Sequence, residues 1–146
     1  MRLASLLAGT LLFILSNGWE TDFEIAKDRA QKEHKFILLN FSGSDWCVPC
    51  INLRRELFED ASFKEFSEGN LVLLNADFPR LKKNQLSKDQ QKKNELLADK
   101  YNPQGSFPYT LLLDEGGKII HTWDGAPGGT VAEFISNVKN LMHANN

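Results

Sequence analysis

Cysteine is scarce in this chain: there are two in 146 residues, both in the run Ser44-Asp45-Trp46-Cys47-Val48-Pro49-Cys50. A chain of this length can build the core of one domain without cross-links. Charge of one sign is not in excess either. The 17 Lys and Arg nearly balance the 19 Asp and Glu, and a net charge of −2 gives no reason to expect nucleic-acid binding. The three histidines, His34, His121 and His143, are scattered, and none sits close to another His or to a Cys. Structural zinc takes four ligands, usually in paired groups, so no metal is expected. With 42% hydrophobic and 25% charged residues, disorder and collagen-like structure are excluded. There is no internal repeat and no sign of a second domain.

Long apolar runs are missing as well. The longest apolar stretch, Leu3 to Leu15, is shorter than the roughly 17–25 residues of a membrane span. Arg2 before it and the small residues Ser16-Asn17-Gly18 after it form the pattern of a cleavable secretory signal peptide. The expected division is a signal peptide over residues 1–18 and a single domain over 19–146. In an oxidising compartment outside the cytoplasm, a thiol pair tends to end as a disulfide. A bridge closing a four-residue loop constrains the unfolded chain little, so an inert structural staple is a poor use of it.

What is present reads as alternating helices and strands. Thr21-Asp22-Phe23-Glu24 has the form of a capping box, with Thr21 as cap, opening a helix to about His34. Phe36 to Phe41 is an apolar run without alternation, as expected of a strand buried on both faces. Ile51, Leu53, Leu57 and Phe58 predict one helical face, and Asp60 predicts the cap of a further helical turn ended by Gly69-Asn70. Leu71 to Asp77 reads as a second buried strand, and Ser87 to Tyr101 as a helix. Tyr109 to Asp114 and Lys118 to Trp123 form a hairpin signal around Glu115-Gly116-Gly117. Thr130-Val131-Ala132-Glu133 is another capping box, for a last helix to about His143. The expected fold class is α/β: a central mixed sheet flanked by helices on both faces, closed by a C-terminal β-hairpin plus helix. Strands separated by helices predict parallel crossovers, with the hairpin adding one antiparallel strand.

The Cys-x-x-Cys lies where a strand gives way to a helix, the layout of a thiol–disulfide redox site. At the first turn of that helix, unpaired backbone N–H groups and the positive end of the dipole favour a thiolate at Cys47. Cys47 is therefore expected to be exposed and to attack first. Cys50, one turn on, is expected to be shielded and to resolve the mixed disulfide. Pro49 suits an early helical position, where its missing N–H has no partner to lose. Trp46 flanks the site as an apolar wall or serves the core. Phe107-Pro108 stands directly before an apolar strand, where a trans proline fits a sheet poorly, and a cis bond is expected there.

Trp46-Cys47-Val48-Pro49-Cys50, with Phe107-Pro108 about sixty residues on, resembles the thioredoxin superfamily over Trp19 to Met142. The stretches Phe41 to Cys47, Ala76-Asp77-Phe78-Pro79 and Gly125-Ala126-Pro127-Gly128-Gly129 are similar to the DsbH-type periplasmic thiol–disulfide oxidoreductases of that superfamily. The resemblance implies a thioredoxin fold, Cys47 as nucleophile and Cys50 as resolving thiol. It implies a substrate groove that includes Trp46, Val48, Pro49, Phe107 and Pro108. It also implies a periplasmic location. Thioredoxins carry a buried Asp in the strand before the motif, paired with a Lys on the next strand. Here the matching positions are Phe41, or Asn40 if the loop is one residue longer, and Leu73, none of which titrates. Asp45, water or another carboxylate is left as proton acceptor for Cys50.

Val48-Pro49 lacks the His that would stabilise a thiolate and make a strong oxidant, which favours a reductase or isomerase. No cofactor is needed, because the dithiol carries two electrons. The expected partners are exported proteins that contain disulfides and a redox partner that supplies electrons, such as a membrane transporter; the protein itself is expected to be a monomer. Three readings stay open beside this one: a disulfide-introducing oxidase, a non-catalytic peptide-binding module, and a permanent structural disulfide. The basic stretch Arg80, Lys82, Lys83, Lys88, Lys92 and Lys93 reads as a solvated loop and helix face, or as a dock for an acidic partner or anionic membrane.

Overall fold

In a computed structural model, residues 18–146 are described, so the expected signal peptide lies outside the described residues except for Gly18. The strands are β1 (Phe36–Ser42), β2 (Leu71–Asp77), β3 (Tyr109–Leu113) and β4 (Ile119–Asp124). The helices are α1 (Phe23–Glu33), α2 (Val48–Leu53), α3 (Ala61–Asn70), α4 (Lys88–Tyr101) and α5 (Val131–His143). A π-helical turn, Arg54–Phe58, continues α2, and a short 3-10 turn, Lys82–Asn84, precedes α4. The sheet order is β2-β1-β3-β4.

All seven residues of β1 are buried, because helices cover both faces of the central strand. On one face Ile37, Leu39 and Phe41 meet Ala26 and Ala30 of α1 and Leu97 and Tyr101 of α4. On the other, Phe36 and Leu38 meet Leu53, Leu57 and Phe58, together with Phe63 and Phe66 of α3 and Phe134 and Val138 of α5. The period-two alternation of a strand assigns each residue to one of these layers.

Several expectations are corrected. β1 and β2 are parallel, as the crossover rule predicts, but β3 runs antiparallel to β1, with Tyr109 opposite Phe41 and Leu113 opposite Ile37. The chain is turned after α4 by Asn102–Ser106. Gly105 takes a left-handed φ of 69°, and the buried Asn102 side chain holds both the N–H and the C=O of Ser106. β3 thus enters from the end where β1 and β2 finish.

Asp22, not Thr21, caps α1, accepting from the N–H groups of Glu24 and Ile25. The residue before Thr21 is held extended: Glu20 donates its N–H to Leu73 and accepts from the N–H of Asn75. Ile51 is 41% exposed, because Cys50, Leu53 and Leu57 take the inward line of α2 and its π turn. Asp60 and Ser87 cap their helices, and Thr130 with Glu133 closes a full capping box on α5.

Candidate active site

The end of the sheet at which β1 and β2 finish together is where the site is built, with Ser42 of β1 opposite Asp77 of β2. Two loops leave this edge and are laced to each other. Ser44 donates its backbone N–H and its hydroxyl to the two oxygens of Asp77, at 2.9 and 2.6 Å. Phe78 donates its N–H back to the carbonyl of Ser42 at 2.8 Å. Asp45 accepts from the N–H of Arg80 (2.9 Å), the N–H of Leu81 (3.0 Å) and the amide of Asn84 (2.9 Å). These donors, the Arg80 N–H foremost, hold the Asp45 carboxyl below the usual carboxylate range. Its oxygens face the loop after β2, so its position is that of a loop clamp rather than an acceptor for the Cys50 proton.

Trp46 is bound on several sides. Its indole N–H donates to the carbonyl of Phe78 at 2.7 Å, and its ring meets Phe107 edge-on at 5.5 Å between centroids. The guanidinium of Arg80 lies 3.6 Å over the ring, a close cation–π contact. Phe78 and Phe107 also pack at 5.5 Å. Beneath the indole lies Gly43, where any Cβ would overlap the ring; only glycine allows this approach. The Gly43 carbonyl accepts from the N–H groups of Trp46 and Cys47, tightening the turn into α2.

Cys47 is the N-cap of α2, and its sulfur accepts from the N–H of Cys50 at 3.3 Å. The two sulfurs form a disulfide, with Cα atoms 5.2 Å apart. Pro49 lies in the first turn of α2 and is exposed. Exposure does not divide the cysteines as expected: Cys47 is 5% exposed and Cys50 3%. In the oxidised pair Cys47 is turned inward against the first helical turn, and the accessible surface of the motif is Val48, 64% exposed, with Pro49 beside it. The Phe107–Pro108 bond is cis; Pro108 is buried and its carbonyl accepts from the N–H of Gly125. Through Phe107 this segment meets Trp46, so the two sequence-distant motifs are brought together.

A polar ladder crosses three strands beneath the site. Thr110 donates its hydroxyl to the Asn40 carbonyl at 3.0 Å, and the Asn40 amide donates to the Asn75 carbonyl oxygen at 3.0 Å. Asn40 shares the sheet face of Leu38 and α2, whereas Phe41 faces α1 and α4. The position left open between Asn40 and Phe41 is therefore Asn40. Its neighbour on β2 is Asn75, not Leu73, which pairs with Leu38. A cleft of about 280 Å³ opens beside the ladder, lined by Asn40, Ser42, Asn75, Asp77, Arg54 and Phe58 among others. The ladder itself holds no titratable group.

Sequence reasoning missed the parts played by Asn75, Phe78 and Arg80. The run Ala76-Asp77-Phe78-Pro79 stood out only as a resemblance, because the contacts that give it meaning span more than thirty residues. Among the described residues, no three His, Cys, Asp or Glu side chains gather as metal ligands. No described helix is long and apolar enough to cross a membrane.

Comparison with known proteins agrees with this geometry. A family model described as thioredoxin-like matches residues 18–114. The disulfide bond reductase DsbH of Chlamydia pneumoniae is 35% identical over 124 residues, covering 85% of this chain and 72% of that protein. The thioredoxin-related protein DsbJ of the same organism is 28% identical over 103 residues, 70% of this chain but only 29% of that longer protein. A solved structure of a DsbH oxidoreductase superposes with a TM-score of 0.76 at 30% identity, covering 97% of this chain and 95% of that one.

Proposed function

The chain belongs to the thioredoxin-like family as a thiol–disulfide oxidoreductase of the DsbH type, and from that premise we propose that it reduces or isomerises disulfides in exported proteins. The observation that carries the thiol–disulfide chemistry itself, in either direction, is the Cys47 sulfur seated as cap of α2, 3.3 Å from the Cys50 N–H. In the reduced protein the same N–H and the helix dipole favour the Cys47 thiolate over the thiol. That thiolate attacks one sulfur of a substrate disulfide, forming a Cys47 mixed disulfide and releasing the other substrate sulfur as thiolate. Cys50 then loses its proton and attacks Cys47. The Cys47–Cys50 bond forms and the second substrate sulfur leaves, so the substrate gains two electrons and the protein loses two. The ladder beside the site is neutral and supplies no proton acceptor for Cys50.

Trp46, Val48, Pro49, Phe107 and Pro108 form the groove that receives the substrate chain. Val48 and Pro49 supply exposed apolar surface, and the Trp46–Phe107 contact fixes the wall beside it. The absence of His between the cysteines supports reduction over oxidation. The N-terminal leader pattern supports a periplasmic location, where the oxidised protein is returned to the dithiol by a membrane electron transporter. The working form is a monomer.

Turnover tests the reading. Given dithiothreitol as donor, the protein is expected to accelerate reduction of insulin disulfides. Cys47→Ser is expected to abolish this, and Cys50→Ser to accumulate a mixed disulfide with substrate. Full activity in Cys47→Ser would overturn the assignment.

A further inference from the structure

The basic run of the sequence divides in two once folded. Lys88, Lys92 and Lys93 lie on α4, away from the loop that meets Trp46, and of these Lys93 is neutralised in place, 2.7 Å from Asp22 and 3.7 Å from Asp89. Arg80, Lys82 and Lys83 lie on the loop between β2 and α4, all exposed, and none is within ion-pair distance of a carboxylate among the described residues. This loop is not a loose tether. Asp45 holds it through Arg80, Leu81 and Asn84, the Gln85 amide donates to Pro79, and the Arg80 guanidinium rests on Trp46 beside Cys47. The nearby carboxylates are already engaged: Asp45 with the loop, and Asp77 with Ser44 and the Phe78 N–H. The exposed surface on α2 beside the disulfide is uncharged, formed by Val48, Pro49 and Ile51.

We infer that the Arg80–Lys82–Lys83 loop is a docking ridge for acidic segments flanking the disulfide of a protein substrate. This deepens the function proposed above and rests on it. A disulfide brought to Cys47 against Val48 and Pro49 leaves its flanking chain free to run over Trp46 onto the ridge. The loop backbone that carries the three cations is already held, and the Arg80 guanidinium is itself seated on Trp46, so little entropy is lost in ordering the loop when a partner binds. The cations also raise the encounter rate of an oppositely charged chain, and salt screens that gain. An anionic membrane seated on this loop would cover the disulfide beside it, so a protein segment is the occupant.

The test compares two peptides of equal length carrying the same disulfide, one flanked by Asp and Glu and the other by Ser and Asn. Second-order rates of their reduction by the reduced full domain are read by Trp fluorescence at about 20 mM and about 500 mM salt. The acidic peptide is expected to react about tenfold faster at low salt, with the preference mostly lost at high salt. Lys82→Glu/Lys83→Glu is expected to invert the preference. Lys64→Glu/Lys118→Glu makes the same change of net charge away from the loop and is expected to keep it.

Equal rates for both peptides at low salt would overturn the ridge while leaving the reductase reading intact. Equal loss of preference in both double variants would overturn it too, since net charge alone would then be acting. If neither peptide is reduced, the function proposed above fails and the ridge falls with it. Sedimentation with phosphatidylglycerol vesicles that depends on Lys82 and Lys83, with no peptide preference, would assign the loop to a membrane and overturn the proposal.

Discussion

Replacing Thr110 by Val preserves the shape of a fully buried side chain and removes one hydroxyl. That hydroxyl is the donor to Asn40, 3.0 Å away, inside a core where Asn40 is 6% exposed. With the donor gone, the Asn40 carbonyl oxygen faces a methyl group and has no route to water through β3. Losing a typical hydrogen bond costs roughly 0.5–1.5 kcal/mol, and leaving a buried acceptor unpaired raises the cost to about 1–3 kcal/mol. For a domain of this size each kcal/mol moves the melting temperature by roughly 3–5 °C. Urea unfolding of the oxidised protein is expected to show a lower midpoint with an unchanged slope. A second variant sharpens the argument. Asn40→Leu/Thr110→Val removes both ends of the bond and leaves only Asn75, which is partly exposed where Asn40 is buried and can reach water. The double variant is therefore expected to cost less than the sum of the single ones, a coupling of about 1 kcal/mol or more. An unchanged midpoint for Thr110→Val, or strict additivity in the cycle, would refute the account of the ladder.

Gly43→Ala places a methyl group where the Trp46 indole lies, and the ring must leave the Phe78 carbonyl. The expected result is red-shifted Trp fluorescence with slower disulfide exchange; an unchanged spectrum would contradict the packing. Acid is expected to weaken the fold through Asp22, Asp45 and Asp60, whose carboxyls are held below their ordinary range. The principal causes are Lys93 for Asp22, the Arg80 N–H for Asp45 and the Ser62 hydroxyl for Asp60. A depressed carboxyl contributes stability that is complete above its unfolded pKa, near about 4, and is lost as pH falls through the folded value. Melting temperature should thus be flat from pH 7 to about 5 and fall below about 4. Asp22→Asn should make that acid limb shallower, and a limb unaltered by the substitution would contradict the part given to the Asp22 charge and its Lys93 partner.

Legibility in the sequence followed the range of the interaction. β1 was visible because its seven residues are buried by helices on both faces, which leaves no polar alternation to confuse the reading. Asp60 and the Thr130–Glu133 box were visible because a cap acts over three residues. The cap of α1 was misplaced by one residue, since Glu20 is claimed by β2 through a pairing more than fifty residues away. The direction of β3 was hidden for a similar reason. The Asn102–Ser106 clamp that reverses the chain is a side-chain arrangement, and helix-then-strand order carries no trace of it.

At the site, the Cys-x-x-Cys spacing declares the chemistry, and Phe107-Pro108 marks the opposing segment. Its electrostatics were not legible. Asp45 reads as a candidate proton acceptor until its oxygens are seen to face Arg80, Leu81 and Asn84. Asn75 becomes the partner of Asn40 only through the β1–β2 register.

The reduction potential of the Cys47–Cys50 pair tests the central claim most directly, measured on residues 19–146 equilibrated with glutathione buffers and followed by Trp fluorescence. For this two-electron couple, about 30 mV corresponds to roughly 1.4 kcal/mol, so the possible outcomes are well separated. A reductase fed by a dedicated donor predicts a value near thioredoxin's, roughly −270 mV. A value near roughly −120 mV would contradict the account and make the protein an oxidant that introduces disulfides into its partners.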